Sequence, residues 1–82
     1  MTERIEIGFA PGEGAVMRML GVVERRGFAV NGIAMSADAD HGTLAFDVAP
    51  RDPSRCLDTV ARQLGRLVDV RSVAITSKQP GN

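Results

Sequence analysis

The sequence holds 82 residues with ten basic and ten acidic side chains and no net charge, a balance that argues against non-specific nucleic-acid binding, which needs an excess of Lys and Arg. Without Trp or Tyr and with only three Phe it offers no stacking platform for single strands, and its one cysteine, Cys56, excludes an internal disulfide and any CxxC metal or redox site. The charged run Met1-Thr2-Glu3-Arg4-Ile5-Glu6 predicts no signal peptide, and the lack of any window near ~18 consecutive apolar residues predicts no membrane span, so a cytoplasmic protein is expected. A single domain of this size buries roughly 60% of its unfolded surface, and association is a common source of added stability.

Arg4 to Phe9 alternates, with Ile5, Ile7 and Phe9 on one face, as in a half-buried strand. Ala10-Pro11-Gly12-Glu13-Gly14 is turn chemistry. From Gly14 a helix is predicted, with Val16, Met19, Leu20 and Val23 at i, i+3, i+4 and i+7. Gly27 stands where a left-handed residue ends a helix, behind Arg25 and Arg26 in the last turn. Gly21, inside the helix, reads as a point of close packing on a strand or another helix.

Ala29 to Ala37 is the second predicted strand. Ala29, Asn31, Ile33, Met35 and Ala37 fall on one face, and Val30, Gly32, Ala34 and Ser36 on the other. It carries no charge and lacks the Lys or Pro that protects an exposed edge, so its edge is expected to pair with a second copy or a partner. Asp38 to Gly42 is a hairpin loop. Thr43 to Val48 is the third strand, with Leu44, Phe46 and Val48 inward. Asp52 before Pro53 reads as an N-cap and first helical residue. Leu57, Val60, Ala61 and Leu64 supply the apolar stripe of this second helix. Val70 to Thr76 is the fourth strand, with Val73 and Ile75 inward. The order βαββαβ predicts an α+β, ferredoxin-like fold: a four-stranded antiparallel sheet with two helices on one face. The domain is expected over residues 1–77, with a flexible tail at 78–82.

No catalytic set assembles from this pattern. His41, the only histidine, reads as a surface loop residue, and Asp38, Asp40 and His41 as a polar hairpin tip. Cys56 beside the apolar stripe reads as a small buried hydrophobe. Met19 and Met35 have core periodicity. Phe9 and Phe46 fall on the core face, which argues against an RNA-recognition motif, whose aromatics are exposed. Heavy-metal-binding domains with the same order need paired cysteines in the first turn, where this chain has Pro11-Gly12-Glu13-Gly14. What remains is that turn, where backbone N–H groups at a helix N-terminus suit a small anion. No metal or cofactor is expected, and the chain reads as a binding or regulatory module rather than an enzyme.

Two longer motifs narrow this. Gly14-Ala15-Val16-Met17-Arg18-Met19-Leu20-Gly21-Val22-Val23-Glu24-Arg25-Arg26-Gly27-Phe28 resembles the Gly-x-Leu-x-Arg-x-x-Gly-Leu-x-x-x-Arg-Gly-aromatic signature of ACT domains in acetolactate synthase small subunits. Gln63-Leu64-Gly65-Arg66-Leu67-Val68-Asp69-Val70-Arg71-Ser72-Val73 resembles the family's Gln-Leu-x-Lys-Leu-x-Asp-Val-x-x-Val. The resemblance spans about residues 4 to 76 and is similar to the short, single-domain small subunit of one bacterial isozyme. It implies an ACT fold without activity of its own, and a partner in a thiamine-diphosphate-dependent catalytic large subunit of branched-chain amino-acid biosynthesis. The unprotected edge of strand two predicts a homo-oligomer, a dimer through that strand, and the charge balance and hydropathy predict no nucleic acid and no membrane. In longer members a branched-chain amino acid binds between two ACT domains, at the turn before helix one and the start of strand two. Those positions here are Gly12, Gly14, Ala15, Val16, Ala29 and Asn31. Where the family has asparagines, this chain has Pro11 in the turn and Ala29 after Gly-aromatic. The loss of both amides, at about 1–3 kcal/mol per missing hydrogen bond, implies weak or absent valine binding and a mainly activating role. The alternatives are a free-standing ACT amino-acid sensor with another target, and an acylphosphatase-like hydrolase, which would need an Arg and an Asn around a phosphate cradle.

Overall fold

Alternation of apolar and polar residues lets one strand bury a row of side chains beneath a helix layer while both of its edges pair. β1 (Glu3–Phe9) takes that central place. The computed structural model describes residues 3–77, so the expected tail at 78–82 lies outside the described residues. The elements that follow are α1 (Ala15–Arg25), β2 (Phe28–Ala37), β3 (Gly42–Pro50), α2 (Leu57–Gly65) and β4 (Val70–Ser77). The strands form one antiparallel sheet in the order β2-β3-β1-β4, and both helices pack on one face of it.

The core follows from the register. Ile5 lies opposite Phe46 and Ile75, and Ile7 opposite Leu44 and Val73. Phe9 lies opposite Gly42, and its ring occupies the space that a Cβ at Gly42 would need, 2.6 Å away. Val23, Val60 and Leu64 close this row from the helix side, each fully buried. No polar or charged side chain is buried with them among the described residues.

Helix α1 begins at Gly14, whose φ of 77° is open to glycine alone at little cost, and is followed by Gly27 at φ 89°. The N–H of Gly27 donates to the Glu24 carbonyl at 3.1 Å, as a helix-ending glycine should. The buried stripe, however, is Ala15, Met19, Val22 and Val23. Val16 and Leu20 are only partly buried. The helix is turned toward α2, which covers its Val22 side. Gly21 is also corrected: a Cβ there would meet only the Arg25 guanidinium, at 3.3 Å. It gives room to an arginine of its own helix, not to a strand or a second helix. Helical side chains lean toward the N-terminus, which lays residue i+4 over residue i.

Asp52 does not cap α2. Its carboxylate accepts the Ser54 N–H at 3.0 Å and the Ser54 hydroxyl, and receives Arg55 Nε at 3.2 Å. These local donors close a turn before the helix. The helix starts at Leu57, five residues after Asp52, where that side chain can reach the core. Cys56 is its N-cap in an extended conformation and is exposed, so it is not the buried hydrophobe that its neighbours suggest.

β2 changes parity midway. Val30 pairs with Val48 and Gly32 with Asp47, so a bulge at Asn31 adds one unpaired residue. Val30 therefore shares the core face with Phe28, and Ala29 lies on the opposite face from Ile33 and Met35. Ile33 and Met35 face the helix side, opposite Phe46 and Leu44, yet they are 54% and 57% exposed. Helix α1 starts beside the end of β1 and finishes beside the start of β2. It crosses the sheet diagonally and leaves the far half of β2 uncovered. Met35 is an edge residue, not a core one.

The two glycines separate by experiment. Gly21→Ala is expected to stabilise by up to about 1 kcal/mol, because only a flexible side-chain tip must move. Gly42→Ala is expected to destabilise by about 1–3 kcal/mol, because the Phe9 ring must. Thermal melts at matched concentration should move in opposite directions, by about 4–8 °C per kcal/mol for a domain of this size.

Candidate functional site

The turn between β1 and α1 is held from below by the turn between α2 and β4. After α2 the chain coils tightly: the N–H of Leu67 donates to the Leu64 carbonyl at 3.0 Å and that of Val70 to the Leu67 carbonyl at 3.1 Å. This presents Asp69 to the first turn. The Asp69 carbonyl accepts the Ala10 N–H at 2.7 Å. Its carboxylate receives Arg18 Nε at 3.0 Å, and the second guanidinium nitrogen on the same oxygen. The Arg18 guanidinium lies over Gly14, 2.9 Å from where a Cβ would stand. Above this support the Gly12 carbonyl accepts the Ala15 N–H at 3.2 Å. Gly14 has no side chain, so the first-turn N–H groups of α1 receive no side-chain cap. They carry the positive end of the helix dipole, which favours a carboxylate.

Of the expected positions, Gly12, Gly14, Ala15 and Val16 come together at this turn. Gly12 is exposed, with open space around its Cα, whereas Ala15 is buried. Ala29 and Asn31 do not join them within one chain. Phe9 and Ala37 both lie opposite Gly42, at one end of the sheet, while Ala29 lies opposite Ala49 near the other. Seven residues of β3 at about 3.3 Å each put the two groups roughly 23 Å apart. Arg18 and Asp69 are the site residues that periodicity and turn composition do not mark. Both stand in the quoted motifs, and the lean of Arg18 over residue i−4 was the available signal.

A second feature lies on the helix-free face of the sheet. A shallow concavity of about 580 Å³ has Ala34, Ala45 and Ala74 on its floor and Glu6, His41 and Ser72 among its polar lining. His41 reaches this face because the β2–β3 hairpin is tied to β4: Arg71 Nη1 donates to the Asp40 carbonyl at 3.0 Å and lies 3.4 Å from His41 Nδ1. Beside it Arg4 pairs with Asp47 at 2.9 Å. Hydrogen bonding to that carboxylate, then its charge, holds the Arg4 guanidinium even more firmly protonated than usual. Among the described residues no three His, Cys, Asp or Glu gather as metal ligands. The arrangement offers recognition surfaces: backbone donors at the turn and a small-residue shelf on the open face.

Two helices over one face of a four-stranded antiparallel sheet in the order βαββαβ define a small ferredoxin-like α+β fold. The profile of the ACT domain matches residues 11–73, and the chain belongs to the ACT domain family. Solved structures agree on the fold. The ACT domain of GTP pyrophosphokinase from Chlorobium tepidum superposes with a TM-score of 0.76 at 17% identity, covering 92% of this chain and 96% of that one. The C-terminal domain of the MgtC protein from Mycobacterium tuberculosis gives 0.72 at 16% identity, covering 99% and 90%. Formyltetrahydrofolate deformylase from Burkholderia mallei gives 0.73 at 12% identity, covering 93% of this chain but 28% of that one. No curated protein matches the sequence. No helix among the described residues is long and apolar enough to cross a membrane.

The hairpin that carries His41 has a pH signature. Asp38 accepts the N–H groups of Asp40 and His41, both at 2.9 Å, and these bonds, in that order, lower its pKa below the ordinary 3.8. A depressed carboxylate stabilises the fold above its unfolded value, and that contribution is lost as pH falls through the folded value. An NMR titration should place the Asp38 midpoint below 3.8, with the Asp40 and His41 amide resonances shifting together with it. A midpoint at or above 3.8 would contradict the hairpin geometry.

Proposed function

We propose that this ACT domain is a regulatory protein without catalysis of its own, the small subunit of an acetolactate synthase. In this role it activates a thiamine-diphosphate-dependent catalytic subunit in branched-chain amino-acid synthesis in the cytoplasm. The observation that carries the reading is the bond between Arg18 and Asp69. One residue comes from each of the two motifs that resemble acetolactate synthase small subunits, and together they fix the turn where that family meets its effector. The separation of Gly12 and Gly14 from Ala29 and Asn31 supports a second element of the proposal, a homodimer through β2. Antiparallel pairing of two β2 edges would bring the start of one copy's β2 toward the first turn of the other, so that the effector site is shared. With Pro11 and Ala29 in place of amide side chains, the site has lost hydrogen-bonding groups for an amino acid's charged ends. Valine then binds weakly or not at all.

A free-standing ACT sensor of another target is the second reading. The likeness in fold to the ACT domain of GTP pyrophosphokinase, a protein of a different kind, favours it. Acetolactate formation by the large subunit from the same genome, measured with and without this protein and valine, tests the two. The small-subunit reading expects several-fold activation that valine leaves unchanged. Activation reversed by valine would overturn the argument from Pro11 and Ala29. No activation would overturn the small-subunit reading in favour of the sensor.

A further inference from the structure

The chain is neutral as a whole, but its charge is divided between its two layers. Residues 10–26 and 51–69, which make the helix layer and its connections, hold seven arginines and five carboxylates. The remaining described residues, which make the sheet and its hairpin, hold two arginines and five carboxylates. The division is sharper than these totals suggest. Among the described residues the ion pairs are Arg4–Asp47, Arg18–Asp69 and Arg55–Asp52. Arg25, Arg26, Arg62 and Arg66 are exposed and have no carboxylate in ion-pair reach.

These cations frame a place where a partner can sit. Between α1 and α2 a groove of about 260 Å³ is lined by Val22, Arg25, Arg26 and Gln63. It offers an amide and two guanidinium forks over the buried Val22. Arg62 on α2 and Arg66 at its C-cap, one turn apart, extend the basic surface, and Arg62 is propped by the Thr59 hydroxyl at 3.4 Å. Guanidinium groups of this kind bind carboxylates in two-pronged fashion.

We propose that the groove between α1 and α2 is the docking surface for an acidic segment of a partner protein. The protein nature of the partner rests on the regulatory reading above. Charge favours it over nucleic acid: a phosphate backbone reaching past the groove would meet the acidic sheet side and its hairpin, whereas a short run of Asp and Glu need only cover the helix layer. Assembly through β2 would strengthen the surface. A two-fold axis normal to the sheet keeps both helix layers on one side, so a dimer would display two such grooves on one basic face.

The probes are a fluorescent poly-glutamate peptide and a thymidine oligonucleotide, each titrated into the full chain at low and at physiological salt. Peptide binding is expected to weaken with salt. Amide shifts in the wild-type protein should concentrate at residues 22–26 and 62–66. Replacing Arg25 and Arg66 by Glu (R25E/R66E) should weaken binding by about tenfold or more, and Arg71→Gln on the sheet side should not change it. Absence of binding at low salt, shifts centred on the open sheet face, or tighter binding of the oligonucleotide would each overturn the proposal. The wild-type shift map decides the matter even if the double variant folds poorly. The titration uses no catalytic subunit, so its failure leaves the activation result standing, and failure of activation leaves the docking surface standing.

Discussion

The double pairing of β1 is the constraint on which the rest of the molecule depends. Its apolar row, Ile5, Ile7 and Phe9, faces β3 on one side and β4 on the other, so two strands far apart in sequence are aligned by one template. Phe9 completes the alignment by filling the space over Gly42. With β1 placed, the connection to β2 must cross β3 and that to β4 must cross β1. Both crossovers lie on the face where Val23, Val60 and Leu64 can close the core. Among the described residues fourteen apolar side chains form that core, and burial of a large aliphatic or aromatic side chain is worth about 1.5–3 kcal/mol. With so few large residues, a cavity or clash at Phe9 or Leu64 would remove a large share of the stability.

The same alignment produces the candidate site. β1 ends beside the turn that follows α2, so Asp69 can hold Ala10 through its carbonyl and Arg18 through its carboxylate. The first turn of α1 is thus supported from beneath and left open above. Its backbone donors owe their availability to Gly14, which enters the helix in a left-handed conformation and offers no cap of its own. Support below and first-turn donors without a side-chain cap above suit a small anion, which would meet a prearranged geometry there. The other half of the expected site, at Ala29 and Asn31, lies at the far end of β2. A shared site would make effector binding and association depend on each other.

The sequence made the architecture legible because its signals were periodic. The alternation in β1 and β3, the left-handed Gly27 and the order of elements all appear in the structure. What it concealed depended on tertiary contacts. The bulge at Asn31 shifts the parity of β2, and no composition signal marks it. Asp52 looked like a helix cap, but Ser54 and Arg55 offer nearer donors. Cys56 kept company with apolar residues and still fell at the exposed helix start. Met35 had the right period for the core, yet no helix reaches it. Gly21 has the position of a packing glycine, but its neighbour is Arg25 of the same helix. Of the candidate site, the turn residues were legible as a group. The Arg18–Asp69 support was visible only as two separate motif positions, and nothing local linked them across 51 residues.

The proposed shared effector site depends on association through the uncovered half of β2, where Ile33 and Met35 are exposed on a strand without charge. Sedimentation of the wild-type chain beside the variant carrying Ile33→Asp and Met35→Asp tests this directly. A wild-type dimer, and a folded monomer for the variant, is the expected result. A wild-type chain that stays monomeric as concentration rises, or a dimer that survives both aspartates, would contradict the account.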